Sequence, residues 1–305
     1  MKKIIFLTML LLTFGLLISG CEDQATQTPV GGGAFIGGSE GLAATFEPLS
    51  VVEDGIYTIF DSEDFSMDLV LKNKGEENVL PETVSLKLLG PSKEDFSGIP
   101  SWEIKNVETI EKVSEFNPEG GEEIVTFTPE ARAEYTGTVT GFTDINWNLE
   151  YWYNYKTHLI VNDVCFKGDL TDPKVCVVKE AKTTSVSGAP ISVTVVEEDV
   201  AGKGLMMLRI DVQNIGTGEA TLPSGEFDYR FSQVAYSIEE PEKWECKSGG
   251  RENEARLIDG KAQIICRLKE PLSEDDLYTK NVRLTFDYVY KQLIQEKLRI
   301  KESLK

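Results

Sequence analysis

His158 is the only histidine in the chain, so acid–base chemistry built on imidazole has a single candidate. It sits in Lys156-Thr157-His158-Leu159, just past a run of aromatics, and no cysteine is left over to act with it. No nucleophile-elbow motif is read in the chain. A structural or surface role is the expectation. Carboxylates are plentiful, and Asp61, Glu63, Asp64 and Asp68 form the densest early cluster. A glycosidase would need two of them facing each other across a cleft. Calcium would need several converging oxygens, and the cluster lacks the glycine and spacing of an EF-hand loop. Glu274, Asp275 and Asp276 have a simpler use, as acids in the first turn of a short helix. No phosphate loop is read, and Gly202 and Gly204 are expected to turn a hairpin between Val200 and Leu205. These residues predict no catalytic, cofactor-binding or metal-binding site, and so no enzyme.

The cysteines point to a compartment. There are five. Cys21 follows Lys2, Lys3, an almost wholly apolar run from Ile4 to Ile18, and Ser19-Gly20. A short positive start and an apolar core too short to span a membrane comfortably are the marks of a signal peptide, here residues 1–20. Ile18-Ser19-Gly20-Cys21 resembles the lipobox of lipoproteins. That resemblance implies cleavage before Cys21 and a diacylglyceryl group on its thiol, holding the protein to the outer face of the cell membrane. The other four cysteines form an even set outside the cytoplasm, which suggests two disulfides. Of the three possible pairings, Cys165–Cys176 and Cys246–Cys266 are chosen, because each pair is close in sequence and strand-like in context. The first should bridge a hairpin across Gly168, Asp169, Asp172 and Pro173. The second closes a loop worth on the order of 3 kcal/mol. Zinc is the rival reading, but one histidine and no Cys-x-x-Cys leave it short of ligands.

The net charge is −20, and it becomes more negative once Lys2 and Lys3 are removed. Such a surface repels nucleic acid and anionic headgroups. Basic residues are scattered among acids, so nucleic acid has no footprint. Residues 21–43 carry Gln24, Thr26, Gln27, Thr28, Pro29, Gly31 to Gly33, Gly37, Gly38 and Gly41, and read as a flexible tether.

The elements that must position everything else come from an internal repeat. LVLKNKGEENVLP at 69–81 matches IDVQNIGTGEATLP at 210–223. Trp102-Glu103 matches Trp244-Glu245, and GEEIVTF at 121–127 matches GKAQIIC at 260–266. Pro129 and Tyr135-Thr136 match Pro271 and Tyr278-Thr279, and LEYWYNYK at 149–156 matches LTFDYVYK at 284–291. Ordered landmarks of this kind mean two copies of one unit. Within each copy the pattern is strand. Trp147, Leu149, Tyr151, Tyr153 and Tyr155 alternate with Asn148, Glu150, Trp152, Asn154 and Lys156, as do Leu284, Phe286, Tyr288 and Tyr290 with their neighbours. Asn-x-Gly after a strand is expected to supply left-handed backbone for a turn. Short helices are expected only at Pro129 to Tyr135 and Leu272 to Tyr278. The fold class is therefore all-β, with two tandem antiparallel β-sandwiches over 44–182 and 189–301 and a joint at Thr183 to Pro190. Trp152 should point away from the core, toward the other copy, the first disulfide or a partner.

A strand ending in Asn-x-Gly followed by an aromatic-lined strand resembles the immunoglobulin-like modules of CARDB type, on Leu69 to Gly75 and Ile210 to Gly216. More broadly, GGSEGLAATFEP at 37–48, LKNKGEENV, and the cysteine hairpin followed by GAPISVTVVEE at 188–198 resemble uncharacterised archaeal cell-surface proteins with tandem Ig-like domains. The resemblance implies an envelope location and transfers no catalytic or binding residue. The antibody-type Cys…Trp…Cys spacing is missing. The expected function is a non-catalytic binding, adhesion or structural module of the envelope. It would meet the membrane through its lipid and a protein or envelope polymer through its loops or strand edges. The alternative is a solute- or glycan-binding lipoprotein, and a carboxylate hydrolase stands third.

Overall fold

The computed structural model describes residues 34–171, 175–228 and 230–303. Cys21, the signal segment and the tether up to residue 33 lie outside the described residues. Alternation of apolar and polar side chains runs through nearly every segment, and strands result. In the first copy they are β1 (Leu42–Phe46), β2 (Val51–Glu53), β3 (Ile56–Phe60), β4 (Asp64–Phe65), β5 (Asp68–Asn73), β6 (Val84–Gly90), β7 (Phe96–Ser97), β8 (Glu103–Lys105), β9 (Glu122–Thr126), β10 (Ala133–Tyr135) and β11 (Phe142–Lys167). Two short strands follow, β12 (Glu180–Ala181) and β13 (Thr184–Val186). The second copy supplies β14 (Ile191–Gly202), β15 (Leu205–Asn214), β16 (Glu219–Thr221), β17 (Ser232–Ile238), β18 (Trp244–Ser248), β19 (Arg251–Glu252), β20 (Glu254–Leu257), β21 (Lys261–Leu268) and β22 (Leu277–Lys301).

The protein is an all-β antiparallel sandwich whose broadest layer is shared by both copies. That layer runs β2-β3-β22-β11-β6-β8, with β13 on β11, β16 and β17 on β22, and β20 on β17. Among the described residues, only the β22–β3 pair is parallel. A three-stranded sheet, β1-β5-β9, belongs to the first copy, and β12-β14-β15-β21-β18-β19 belongs to the second. The inward residues of β11 and β22 lie directly across from one another: Tyr153 from Tyr290, Tyr155 from Tyr288, Thr157 from Phe286. Cross-strand partners share a face. Both smaller sheets therefore pack side by side on the same face of the shared layer, and one continuous core runs between.

The β11–β22 ladder joins the copies. It extends from Phe142↔Lys301 to Lys167↔Leu277, with one bulge between Val161 and Val164. Asn154 pairs with Val289, which is its own counterpart when Leu149–Lys156 is aligned with Leu284–Lys291. A strand that pairs with its repeat image about one residue generates a local two-fold axis, as in an isologous dimer. The copies are thus related like subunits of a dimer fused into one chain, and the described residues belong to one compact unit.

Several local expectations change. The segments 129–135 and 272–278 contain no helix: Ala133–Tyr135 is β10, and a turn leads into β22 at Leu277. The only helical piece among the described residues is a 3-10 turn at Lys93–Asp95. Short segments beside long strands gain more from ladder hydrogen bonds than from a helix too brief to nucleate. The joint at 183–190 is built into the fold, since β13 pairs with Leu159–Val161 of β11 and Ser187 donates its N–H to the His158 carbonyl at 2.9 Å. The end of the tether is also held. The Ile36 and Gly37 N–H groups donate to the Glu76 carboxylate at 3.0 and 2.9 Å. The Gly202–Gly204 turn forms as expected, with Gly204 at φ +67°.

Both disulfides form, Cys165–Cys176 and Cys246–Cys266. The second joins directly opposed residues of β18 and β21. The first differs from the expected hairpin: Cys165 is in β11, but residues 175–179 are irregular, so the bond ties a loop to a strand. Replacing Cys246 and Cys266 by serine is expected to lower the unfolding free energy by about 3 kcal/mol, from the loop-closure entropy returned to the unfolded chain. Urea titration checks this. An unchanged midpoint would mean that the β18–β21 pair needs no staple. Among the described residues, no helix is long and apolar enough to cross a membrane.

Candidate functional site

The residues that the repeat duplicates converge on the seam between the copies. Tyr155 donates its hydroxyl to Asn73 Oδ1 at 3.1 Å, and Tyr290 does the same to Asn214 at 3.0 Å. Asn73 Nδ2 donates to the Glu77 carbonyl at 2.7 Å, and Asn214 Nδ2 to the Gly218 carbonyl at 2.8 Å. The Gly75 and Gly216 N–H groups each donate to the asparagine Oδ1 at 3.2 Å. The Glu77 and Gly218 N–H groups return to the tyrosine hydroxyls at 3.3 and 2.8 Å. Each Asn-x-Gly thus closes its own loop and latches it to the aromatic strand. Left-handed backbone is not the reason for these glycines, because neither has positive φ. A Cβ on Gly75 would stand 2.2 Å from the Tyr155 hydroxyl oxygen, and one on Gly216 2.4 Å from that of Tyr290.

A cleft of about 210 Å³ opens beside this seam, between Glu40–Leu42, Pro190 and Ile215–Thr217, with Tyr153, Tyr290 and Gln292 at its base. The Tyr153 side chain is 1% exposed, and its hydroxyl has no hydrogen-bond partner among the described residues. Burial pushes that phenol well above the ordinary tyrosine range. Tyr151, by contrast, is satisfied: it donates to Gln292 Oε1 at 2.9 Å and accepts from the Ala44 N–H at 3.3 Å. The cleft is smaller than a typical organic-ligand pocket and suits a few waters or a small polar solute. A shallower hollow of about 430 Å³ lies over the first disulfide, lined by Lys167, Leu170, Cys176 and Val200 among others.

The residues first considered for chemistry are dispersed and occupied. His158 Nε2 meets Glu77 Oε2 at 3.1 Å, Nδ1 meets Thr285 Oγ1 at 3.4 Å, and Phe35 stacks on the ring at 6.2 Å. These contacts hold the imidazole as a spacer between the end of the tether and β11. In the early acidic cluster, Asp61 accepts from the Ser303 N–H at 3.0 Å and Glu63 from the Phe60 N–H at 2.8 Å. Asp64 pairs with Arg132 at 2.8 Å, and Asp68 opens β5 opposite Thr126. Among the described residues, no group of three or more His, Cys, Asp or Glu side chains is placed to hold a metal ion. Glu274 pairs with Lys203 at 2.8 Å, and Asp276 accepts from the Ser273 N–H at 2.8 Å in a turn, not in a helix. Trp152 is half-buried on the outer face, opposite Ser85 and Lys291.

Three features escaped sequence reasoning. Glu76 is buried and binds three backbone N–H groups, those of Ile36, Gly37 and Gly188, the last at 2.7 Å. Glu198 is fully buried beside the β11 bulge, where it accepts from the Cys165 N–H at 2.9 Å and pairs with Lys182 at 2.7 Å. Burial raises its pKa, and Lys182 opposes the shift. Both acids stand in ordinary Glu-Glu pairs, so nothing in their local sequence marks them. The third was visible. Gly37-Gly38-Ser39-Glu40-Gly41 has the Gly-x-Ser-x-Gly spacing of a nucleophile elbow. That elbow needs a strand before it and a helix after it. Here the segment leads into strand β1, and Ser39 lies at the cleft, while the His158 Nε2 is engaged by Glu77.

No protein-family model matches the sequence, and no curated protein matches it. Its geometry is therefore the ground for any functional reading.

Proposed function

We propose that the chain is a non-catalytic, lipid-anchored protein of the cell surface. It would present a rigid Ig-like β-body to a protein or polymer of the envelope. The observation that carries this reading is the β11–β22 ladder. Solute-binding proteins of transporters commonly close two lobes about a hinge. Here the two halves share a paired sheet through their centre, so a hinge motion would break backbone hydrogen bonds along the ladder. A stiff body with fixed edges and loops is suited to presentation. The two disulfides favour an oxidising exterior. Lipid on Cys21 supplies the anchor, and the acidic surface disfavours nucleic acid.

Crosslinking on intact cells tests the reading. Adducts larger than the single chain are expected, and a chain that stays solitary at every crosslinker length would overturn it. Mass spectrometry of the mature N-terminus should find a diacylglyceryl group on Cys21. A second reading, a small-solute or glycan-binding lipoprotein, rests on the seam cleft and the open hydroxyl of Tyr153. Calorimetry with simple sugars decides it: heat lost in Tyr153→Phe favours it, and no heat dismisses it.

A further inference from the structure

We propose that the open edge of β9 accepts an antiparallel strand from a partner bearing basic and β-branched side chains. This rests on the presentation reading and names the surface and the chemistry of its partner.

The internal repeat shows what the Thr126 end of this edge is missing. In the second copy the counterpart of β9 is β21, and β18 lies along its far side over Ile265–Leu268, the positions that match 126–129, with Lys247 opposite Ile265 and Trp244 opposite Leu268. In the first copy, the segment corresponding to β18 begins at Trp102-Glu103. It forms β8 and joins the other layer, where Ile104 pairs with Leu86 of β6. The sheet β1-β5-β9 therefore stops at β9.

The hydrogen-bond parity of β9 follows from its ends. The Asn73 N–H donates to the Gly121 carbonyl, and the Phe127 N–H to the Met67 carbonyl, both at 2.9 Å. With the register Val70↔Ile124 between them, the odd-numbered residues bond to β5. Glu122, Ile124 and Thr126 turn their N–H and C=O groups outward. None of those groups has a partner among the described residues.

Other edges are partly closed or short. The outward Ala44 N–H of β1 is taken by the Tyr151 hydroxyl, and β14 is met by β12 at Glu197 and Glu198 and by the Lys182 N–H at the Val196 carbonyl. Strands β2 and β8 have three residues each, against five in β9. Natural edges are blunted by lysine, proline, a bulge or an inward charge; β9 has none of the first three, and its inward Glu123 carboxylate is occupied by the Val107 and Glu108 N–H groups. It exposes Ile124 at 65%, and the adjoining segment exposes Val107, whose N–H is bound by the Glu123 carboxylate, at 75%. Glu108, Glu111 and Glu122 are exposed in the same two segments, against one exposed lysine, Lys112. Exposed acid around an apolar strand edge selects lysine or arginine flanking a β-branched centre. A second copy of the chain is disfavoured by a net charge of −20 on each.

The test titrates the full chain with a fluorescent peptide of alternating lysine and valine. Saturable one-to-one binding is expected. N-methylation of alternate peptide nitrogens should weaken it about tenfold or more, because the ladder is lost while the charge stays. Ile124→Pro removes only an outward N–H, so it should weaken binding by a similar factor, with Ile124→Val close to wild type. Should Ile124→Pro fail to fold, the methylated peptide against the wild-type chain still decides. Equal binding of the methylated peptide, no binding at all, or sedimentation showing β9-dependent dimers would each overturn the proposal. If the peptide fails while crosslinks on cells persist, presentation stands and this edge is not its surface. If both fail, the presentation reading falls as well.

Discussion

At pH 11 the five seam tyrosines are expected to remain protonated, and the chain should then unfold in one cooperative step as the pH approaches 12. Tyr151, Tyr153, Tyr155, Tyr288 and Tyr290 are each no more than 2% exposed. Burial pushes all five above the ordinary value of 10, Tyr290 to about 12 and the others further. A raised folded pKa means a stability contribution that is complete below the unfolded pKa and lost as pH climbs toward the folded one. Unfolded tyrosines give up their protons near pH 10. Above that, each buried tyrosine removes about 1.4 kcal/mol of stability per pH unit, and five together about 7 kcal/mol per unit. A domain holds only about 5–15 kcal/mol in all, so one to two units exhaust it. Absorbance near 295 nm, followed with circular dichroism, reads the event. The five phenolates should appear together with loss of β-structure. A smooth titration of every tyrosine near pH 10, with the fold intact, would mean that water reaches the seam and the aromatic layer is not a core.

The tyrosines also show how far the sequence could be read. Their alternation along 147–155 and 284–290 is enough to place them on a buried face, and all of them are buried. The repeat is enough to say that two copies exist. Neither indicates that Tyr153 stands opposite Tyr290. Alternation assigns a face to each side chain, but the partner strand is set by a contact between residues more than a hundred positions apart. A pattern that predicts separate sandwiches is equally satisfied when two last strands pair with each other. Composition misled in a related way at Ile36–Gly38. Few side chains there can be buried, which reads as tether, yet backbone N–H groups need no side chain to be bound, and Glu76 binds two of them. The cysteine pairs were legible because sequence proximity and strand context happened to agree with geometry. The irregular loop that carries Cys176 was not, since Val175-Cys176-Val177 has the composition of a strand without a neighbour to pair with.

Gly75→Ala is expected to be among the most damaging single substitutions in the chain, costing about 3 kcal/mol or more. The added Cβ would lie 2.2 Å from the Tyr155 hydroxyl, 2.5 Å from the Gly188 carbonyl oxygen and 2.6 Å from the Glu40 carbonyl oxygen. Only the first belongs to a side chain, and that hydroxyl is held by Asn73 and Glu77. The other two are backbone, from the segments that the buried Glu76 carboxylate pulls together, so relief at one point would strain the rest. Gly216→Ala should cost less, since its nearest atoms are the Tyr290 hydroxyl at 2.4 Å and Pro190 Cβ at 2.8 Å, both on side chains. Gly55→Ala should cost least, about 1 kcal/mol, because Gly55 has φ +80° with nothing within 4 Å of its Cβ, leaving only conformational strain. Urea unfolding of the three variants orders them. Equal costs at Gly75 and Gly55 would restore the turn-conformation account of Asn-x-Gly and remove close approach as its cause. If the order holds, Tyr155→Phe in the Gly75→Ala background should recover only part of the loss. It relieves one contact of three and leaves Asn73 short of a hydrogen bond.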